Sequence, residues 1–237
     1  IRQVYPQAQI VGCSTAGEIL GTSVKDDTIA LTAVQFEKTT IKAAQLKIAQ
    51  AQDSYKIGQQ MAAQLPQENL VHVFVLSEGL NINGSELVKG IASGLPAQIA
   101  VTGGLSGDGT EFKETVVVHN DTVESNMIVA LGFYSQSLKV GFGSLGGWDA
   151  FGPERLVTRS QGNVLYELDN KSALELYKKY LGEHAKGLPA TGLLYPLSLL
   201  MGRDGQGVVR TILAISEKDQ SMTFAGDVPE GTYVHLM

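Results

Sequence analysis

The stretch VHVFVLSEGLNINGSELVKGIASGLPAQIAV, Val71 to Val101, decides the fold. Its opening residues, Val71 to Leu76, form a nearly continuous apolar run, the pattern of a strand covered on both faces. Asn83-Gly84-Ser85 then opens a helix with Leu87, Val88 and Ile91 on one face, and Ile99-Ala100-Val101 reads as the next strand. Upstream, Asp53 or Ser54 caps a helix that carries Ile57, Met61 and Leu65 at four-residue spacing and stops at Pro66. Helix, buried strand, helix, strand implies a right-handed crossover between parallel strands.

Working outward, Gln9-Ile10-Val11 is a short strand that enters the glycine-bounded turn Gly12 to Gly17. Thr28 to Phe36 alternates through Ile29, Leu31 and Ala33 before shifting phase to Val34 and Phe36, which predicts a strand with a bulge. Thr40 to Ile48 predicts another. Beyond Gly109 the character becomes antiparallel, with Thr115–His119 and Met127–Phe133 as a hairpin around Asn120-Asp121. Leu138–Phe142 and Arg155–Ser160 continue the strands, and the turn Gln161-Gly162-Asn163 leads into Val164–Leu168. A third helix is expected from Ser172 to about His184, opened by Asp169 or Asn170, followed by strands Val208–Ile215, Met222–Ala225 and Thr232 to the end. The fold class is α/β of the mixed α+β kind: a parallel or mixed sheet with crossover helices in the first half, and mainly antiparallel strands with one helix in the second. Opening on Ile1 and closing inside an expected strand, the chain reads as a fragment of something longer.

Composition narrows the function. Of 237 residues, 43% are hydrophobic and 18% charged, enough apolar matter for a sizeable core. Eighteen basic residues against 24 acidic give a net charge of −6 with no basic cluster, so a partner held by phosphate neutralisation, nucleic acid above all, is not expected. The single cysteine, Cys13, cannot close an internal disulfide and belongs to no Cys-x-x-Cys pattern, which suits a reducing, cytoplasmic location. No apolar run approaches the ~20 residues of a membrane helix, no signal peptide leads the chain, and no membrane partner is expected. Gly-Lys-Ser/Thr phosphate loops and His-Glu-x-x-His are absent from the sequence, and no Gly-x-Gly-x-x-Gly opens a helix after a strand.

Two glycine-lined bends stand out. Gly12-Cys13-Ser14-Thr15-Ala16-Gly17-Glu18 delivers small polar side chains between glycines, where successive amides and the Ser14 and Thr15 hydroxyls suit an anion; the same residues also suit a tight turn that satisfies its own backbone. The segment resembles a relaxed Gly-x-Ser-x-Gly elbow, with Cys13 or Ser14 as nucleophile, but lacks the following helix and any basic neighbour. Gly103-Gly104-Leu105-Ser106-Gly107-Asp108-Gly109 follows a strand end, where ligands collect in α/β sheets, and Asp108 is its one charge, suited to an ammonium group or to an Asp-Gly turn. Trp148 lies in Gly146-Gly147-Trp148-Asp149-Ala150-Phe151-Gly152-Pro153, as a pocket wall or a core plug. Arg159 pairs with Asp169 or Glu167, or grips a ligand carboxylate. His72, His119, His184 and His235 are too dispersed for a metal pair, so no metal site is expected, although one histidine suffices as an axial haem ligand.

These bends, with Gly147-Trp148, Phe151-Gly152-Pro153, Val157-Thr158-Arg159-Ser160, Leu168-Asp169, Leu188-Pro189-Ala190 and Leu194-Tyr195-Pro196-Leu197, resemble the FIST family of bacterial and archaeal sensory domains. The resemblance runs in family order along the whole chain, with residues 1–168 similar to the N-terminal module, less its first strand and helix, and 169–237 to the start of the C-terminal one. It implies a non-enzymatic, intracellular signal-input domain that binds a small molecule, amino acid-like in one proposal. It also implies an output partner such as a histidine kinase, a chemoreceptor or a cyclic-dinucleotide enzyme. No cofactor is expected, with haem as the alternative that the nitric-oxide-sensing members imply and His119 as its candidate ligand. A third reading is an enzyme using Cys13 or Ser14. The expected ligand residues are Cys13, Ser14, Thr15, Glu18, Gly104, Ser106, Asp108, Trp148 and Arg159, on the proposition that the two bends meet in space.

Overall fold

The computed structural model describes residues 1–48, 53–144, 146–200 and 207–237. They divide into two compact units, Ile1–Phe142 and Gly143–Met237, each described by itself.

The first unit begins with β1 (Val11–Cys13), the short hairpin β2 (Glu18–Leu20) and β3 (Ser23–Lys25), and then β4 (Thr40–Lys47). The α/β unit follows as α1 (Ser54–Ala63), β5 (Leu70–Ser77), α2 (Gly84–Ser93) and β6 (Ala100–Leu105). The strands β7 (Val117–His119), β8 (Thr122–Glu124) and β9 (Met127–Tyr134) complete it. The Asp53 carboxylate accepts from the Lys56 amide and the Asn83 side chain from those of Ser85 and Glu86, so both helix starts carry the caps that the sequence predicts. The two helices touch backbone to backbone. A Cβ on Gly58 would sit 2.3 Å from the Leu87 carbonyl oxygen and one on Gly90 2.0 Å from that of Tyr55.

The main sheet runs β4-β9-β5-β6, with β5 and β6 parallel and β9 antiparallel to both of its neighbours. The mixed α+β class is therefore borne out. Ile57 and Met61 of α1, Leu65 just beyond its end, and Leu87 and Ile91 of α2 pack on Val73, Val75, Ile128 and Ala130 from the sheet. A smaller sheet, β1-β7-β8, buries Val117 against Met127 and Val129.

Three expectations for this unit are corrected. Thr115–His119 does not pair with Met127–Phe133. The turn at Asn120-Asp121 joins β7 to β8 instead, while β9 is drawn between β4 and β5 because its almost wholly buried residues need cover on both faces. Thr28–Phe36 forms no regular strand; its apolar side chains lie largely in the open, so alternation there is not matched by a ladder. Leu138–Phe142 likewise forms no strand.

In the second unit, β10 (Phe151–Gln161), β11 (Val164–Leu168) and the two-residue β12 (Lys171–Ser172) precede α3 (Ala173–Leu181). Two 3-10 turns, Gly182–Gly187 and Ala190–Leu193, lead to β13 (Leu197–Leu200), β14 (Gly207–Arg210), β15 (Ile212–Ser216), β16 (Ser221–Phe224) and β17 (Tyr233–Leu236). The cap of α3 is Ser172, which accepts from the Glu175 amide, and not Asp169 or Asn170. Those two adopt left-handed backbone, φ 50° and 59°, in the turn between β11 and β12. The α-helix also ends at Leu181, three residues short of expectation. Gly182 at φ 57° stops it and 3-10 turns replace it through His184.

The sheet path is β14-β13-β17-β10-β11-β16-β15, wholly antiparallel. Its two ends, β14 and β15, are halves of the expected strand Val208–Ile215, broken at Thr211. The sheet therefore curls back on itself around Val157, Leu165, Leu199, Ile212, Met222 and Phe224, against which α3 lays Leu174 and Tyr177.

Candidate functional site

The carboxyl ends of β1, β5 and β6 lie together in the first unit, joined by hydrogen bonds between the loops that follow them. The Gly107 amide donates to the Ser14 carbonyl at 3.0 Å, so the two glycine-lined bends meet. A Cβ on Gly107 would be 3.3 Å from the Ala16 nitrogen, which explains glycine there. Ser14 is fixed from the other side as well, its amide donating to the Val116 carbonyl at 2.9 Å and its Oγ accepting from the Val116 amide at 3.0 Å.

The loop after β5 completes the cluster. Ser106 donates both its amide, at 2.8 Å, and its hydroxyl, at 3.0 Å, to the Ser77 carbonyl. Gly79 donates to the Thr115 hydroxyl at 3.0 Å, and a Cβ at that position would fall 1.8 Å from the Ser106 carbonyl oxygen. Glu78 is 1% exposed, and its carboxylate accepts from the Leu80 and Asn81 amides at 3.0 and 2.8 Å. The Ser77 hydroxyl, equally buried, has no partner among the described residues. Sequence reasoning missed Ser77, Glu78 and Thr115. The available signal was a glutamate and a glycine placed directly after a buried strand, where a solvated charge is not expected.

Each expected residue has a definite place. Thr15 and Glu18 lie at the rim, where Thr15 Oγ1 donates to one Glu18 oxygen and the Thr28 amide and hydroxyl donate to the other at 3.2 and 2.7 Å. The Thr15 hydroxyl first, then that of Thr28, holds the Glu18 carboxyl below its ordinary value, so it is an anion near neutral pH. Gly104 is exposed, with open space where a side chain would be. Asp108 turns back on its own loop, accepting from the Lys113 and Glu114 amides at 2.6 and 3.1 Å. Cys13 is half-buried against Val117, Met127 and Leu76, and burial pushes its thiol up, the opposite of nucleophile activation. After Ser14 the chain enters the β2–β3 hairpin and no helix, so the elbow geometry is absent.

His119, on β7, has its Nδ1 on the Gln45 side-chain oxygen and its Nε2 3.1 Å from the Asn120 side-chain Nδ2. Burial, then Arg2, lowers its pKa, in keeping with a neutral ring held between an acceptor and a donor. Neither ring nitrogen is left for a haem iron without breaking one of these contacts, so the residues around His119 do not fit an axial ligand. Trp148 and Arg159 belong to the second unit. Trp148 is 43% exposed and lies against Gly146. Arg159 pairs with Glu167 at 2.9 Å, its cross-strand neighbour, and stacks 4.7 Å from the centre of the Tyr166 ring.

A crossover α/β unit whose loops crowd together at the strand ends, followed by a curled antiparallel unit, is the architecture of a two-module chain. Family comparison also divides the chain in two, but at a later point than the compact units do: residues 1–171 match the FIST N domain and residues 173–237 the FIST C domain. The chain belongs to the FIST family, whose domains are sensory modules of signal transduction. It is 22% identical over 264 aligned residues to the "Uncharacterized protein MJ1623" of Methanocaldococcus jannaschii, covering 100% of this chain and 50% of that protein. The chain thus spans half the length of that relative. No solved structure matches it. Among the described residues, no helix is long and apolar enough to cross a membrane.

Proposed function

We propose that the chain is the input half of a cytoplasmic sensor that binds a small amino acid-like molecule without transforming it and hands the signal to an output protein. What supports the reading is the bond between Gly107 and Ser14, which brings the Ser14–Glu18 bend and the Ser106–Asp108 loop together at the strand ends, where α/β sheets take their ligands. Glu18, anionic and held by the Thr15 hydroxyl at the rim, suits an ammonium group, and the Ser14 hydroxyl, which accepts from Val116, suits a carboxylate. The output partner is a histidine kinase, a chemoreceptor or a cyclic-dinucleotide enzyme. A ligand signals here only through differential affinity for two arrangements of the chain.

Thermal-shift screening of the twenty amino acids against the chain tests this. One or a few compounds are expected to raise the melting temperature, with the shift lost in Glu18→Gln and in Thr15→Val while both variants keep the wild-type melting point without ligand. A flat screen, or a shift indifferent to both substitutions, overturns the reading.

A further inference from the structure

In the order β4-β9-β5-β6, β4 is the last strand, and among the described residues nothing pairs with its outer edge. Just before it in the chain lies the run that alternates like a strand without being one. Residues 29–36 and β4 are each eight residues long. Among the described residues, no backbone hydrogen bond joins residues 29–36 to any other part of the chain, and Ile29 is 92% and Leu31 65% exposed. The two ends of the run are nonetheless fixed. At one end the Thr28 amide and hydroxyl donate to Glu18, at the rim of the strand-end cluster, at 3.2 and 2.7 Å. At the other, Phe36 sets its ring edge-on to Phe133, 5.9 Å between centres, and the Lys38 carbonyl accepts from the Ser135 hydroxyl at 3.1 Å. Because β4 and β5 are both antiparallel to β9, β4 ends on the side of that cluster. The run from Thr28 to Phe36 therefore points against β4, the direction that a hairpin through Glu37–Thr40 requires.

We propose that residues 29–36 are a strap that closes on the free edge of β4 as a fifth strand, and, resting on the reading of Glu18 as the ammonium's partner, that a bound ligand closes it by taking Glu18 from Thr28. One register fits. With Phe36 opposite Ile41, whose other neighbour is Phe133, the contact between the two phenylalanine rings is kept. The same register sets Ala33 opposite Ala44, Leu31 opposite Leu46 and Ile29 opposite Ile48. Ala44 and Ile48 belong to the core and Leu46 packs against it, so the strap lengthens an apolar face that already exists. A slip of one residue sets Leu31 opposite Gln45 and Ile29 opposite Lys47 instead. Thr28 is the lock. It adjoins Ile29, and while both of its donors are on Glu18 that end of the strap is tied to the rim and not to the sheet. An ammonium group competes for the same carboxylate, so bound ligand and closed strap favour one another, which gives the sensor its two arrangements.

Hydrogen exchange of the whole chain without ligand, in wild type and in Glu18→Ala, provides the first test. The substitution removes the acceptor that Thr28 uses, at an exposed rim, so the variant folds. Residues 29–36 are expected to exchange freely in wild type, whereas in the variant alternate amides of the run slow at least tenfold, as one edge of a new ladder requires. Cross-linking provides the second. In the Glu18→Ala background, Leu31→Cys with Leu46→Cys is expected to oxidise to a disulfide at least tenfold faster than Leu31→Cys with Gln45→Cys, whose side chains face opposite sides of the closed ribbon. Free exchange in both proteins, protection in both, or equal oxidation of the two cysteine pairs overturns the proposal. Neither measurement uses a ligand. A flat amino acid screen beside the expected exchange and cross-linking removes the ligand reading alone, and a positive screen beside free exchange in both proteins removes the strap alone.

Discussion

Residues 77–81 and residues 28–36 belong to the same unit and treat polarity in opposite ways. In the first stretch a serine, a glutamate and a glycine are taken out of water, and apart from the Ser77 hydroxyl their polar groups are met by partners, the Glu78 carboxylate by amides of its own loop and the Ser77 carbonyl and Gly79 amide by Ser106 and Thr115. In the second, apolar side chains stay in water and the backbone between them has no protein partner among the described residues. Burial of polar groups is affordable only where geometry is dense enough to satisfy them. The loop after β5 has that density because it is crossed by Ser106 and Thr115. The segment before β4 has no such neighbours.

The comparison breaks first at Gly79. Gly79→Ala sets a methyl 1.8 Å from the Ser106 carbonyl oxygen, a backbone atom that cannot swing aside. A loss of about 3 kcal/mol is expected by denaturant titration, the upper part of the range for overpacking. Glu78→Gln comes next. It exchanges one acceptor oxygen for an amide that faces the Leu80 and Asn81 N–H groups, and the cost expected by the same titration is about 1–2 kcal/mol. The contrast sharpens at the other extreme, where Ile29→Thr, at a side chain 92% exposed, is expected to leave the stability of the ligand-free chain within about 0.5 kcal/mol of wild type. An Ile29→Thr cost as large as that of Glu78→Gln, measured without ligand, would show that the segment is packed after all.

The parts of this architecture that depend on neighbours in sequence were legible beforehand. The caps of the first two helices, the four-residue spacing of Ile57 and Met61, and the buried run Val71–Leu76 are local signals, and each became the element it predicted. What depends on distant partners was not. The apolar run in β9 fits a hairpin with β7 as well as it fits the slot between β4 and β5, and only the need to cover both of its faces decides. Alternation over 28–36 records a capacity for pairing without recording with whom. At the candidate site, small residues between glycines marked the two bends that meet, because close approach leaves that trace in composition. Glu78 left only its position directly after a buried strand, and its role is plain once the amides that hold it are in view. Arg159 was legible as a charge needing an answer, and the β10–β11 register supplies Glu167.

The break at Thr211 has a consequence for how the second unit comes apart. Because β14 and β15 are consecutive along the chain yet terminate opposite ends of the path, the two margins of the sheet are a single residue apart in the backbone. Fraying ordinarily starts at a margin, and here one margin cannot peel away without pulling on the other. The amides of β14 and β15 are therefore expected to exchange together.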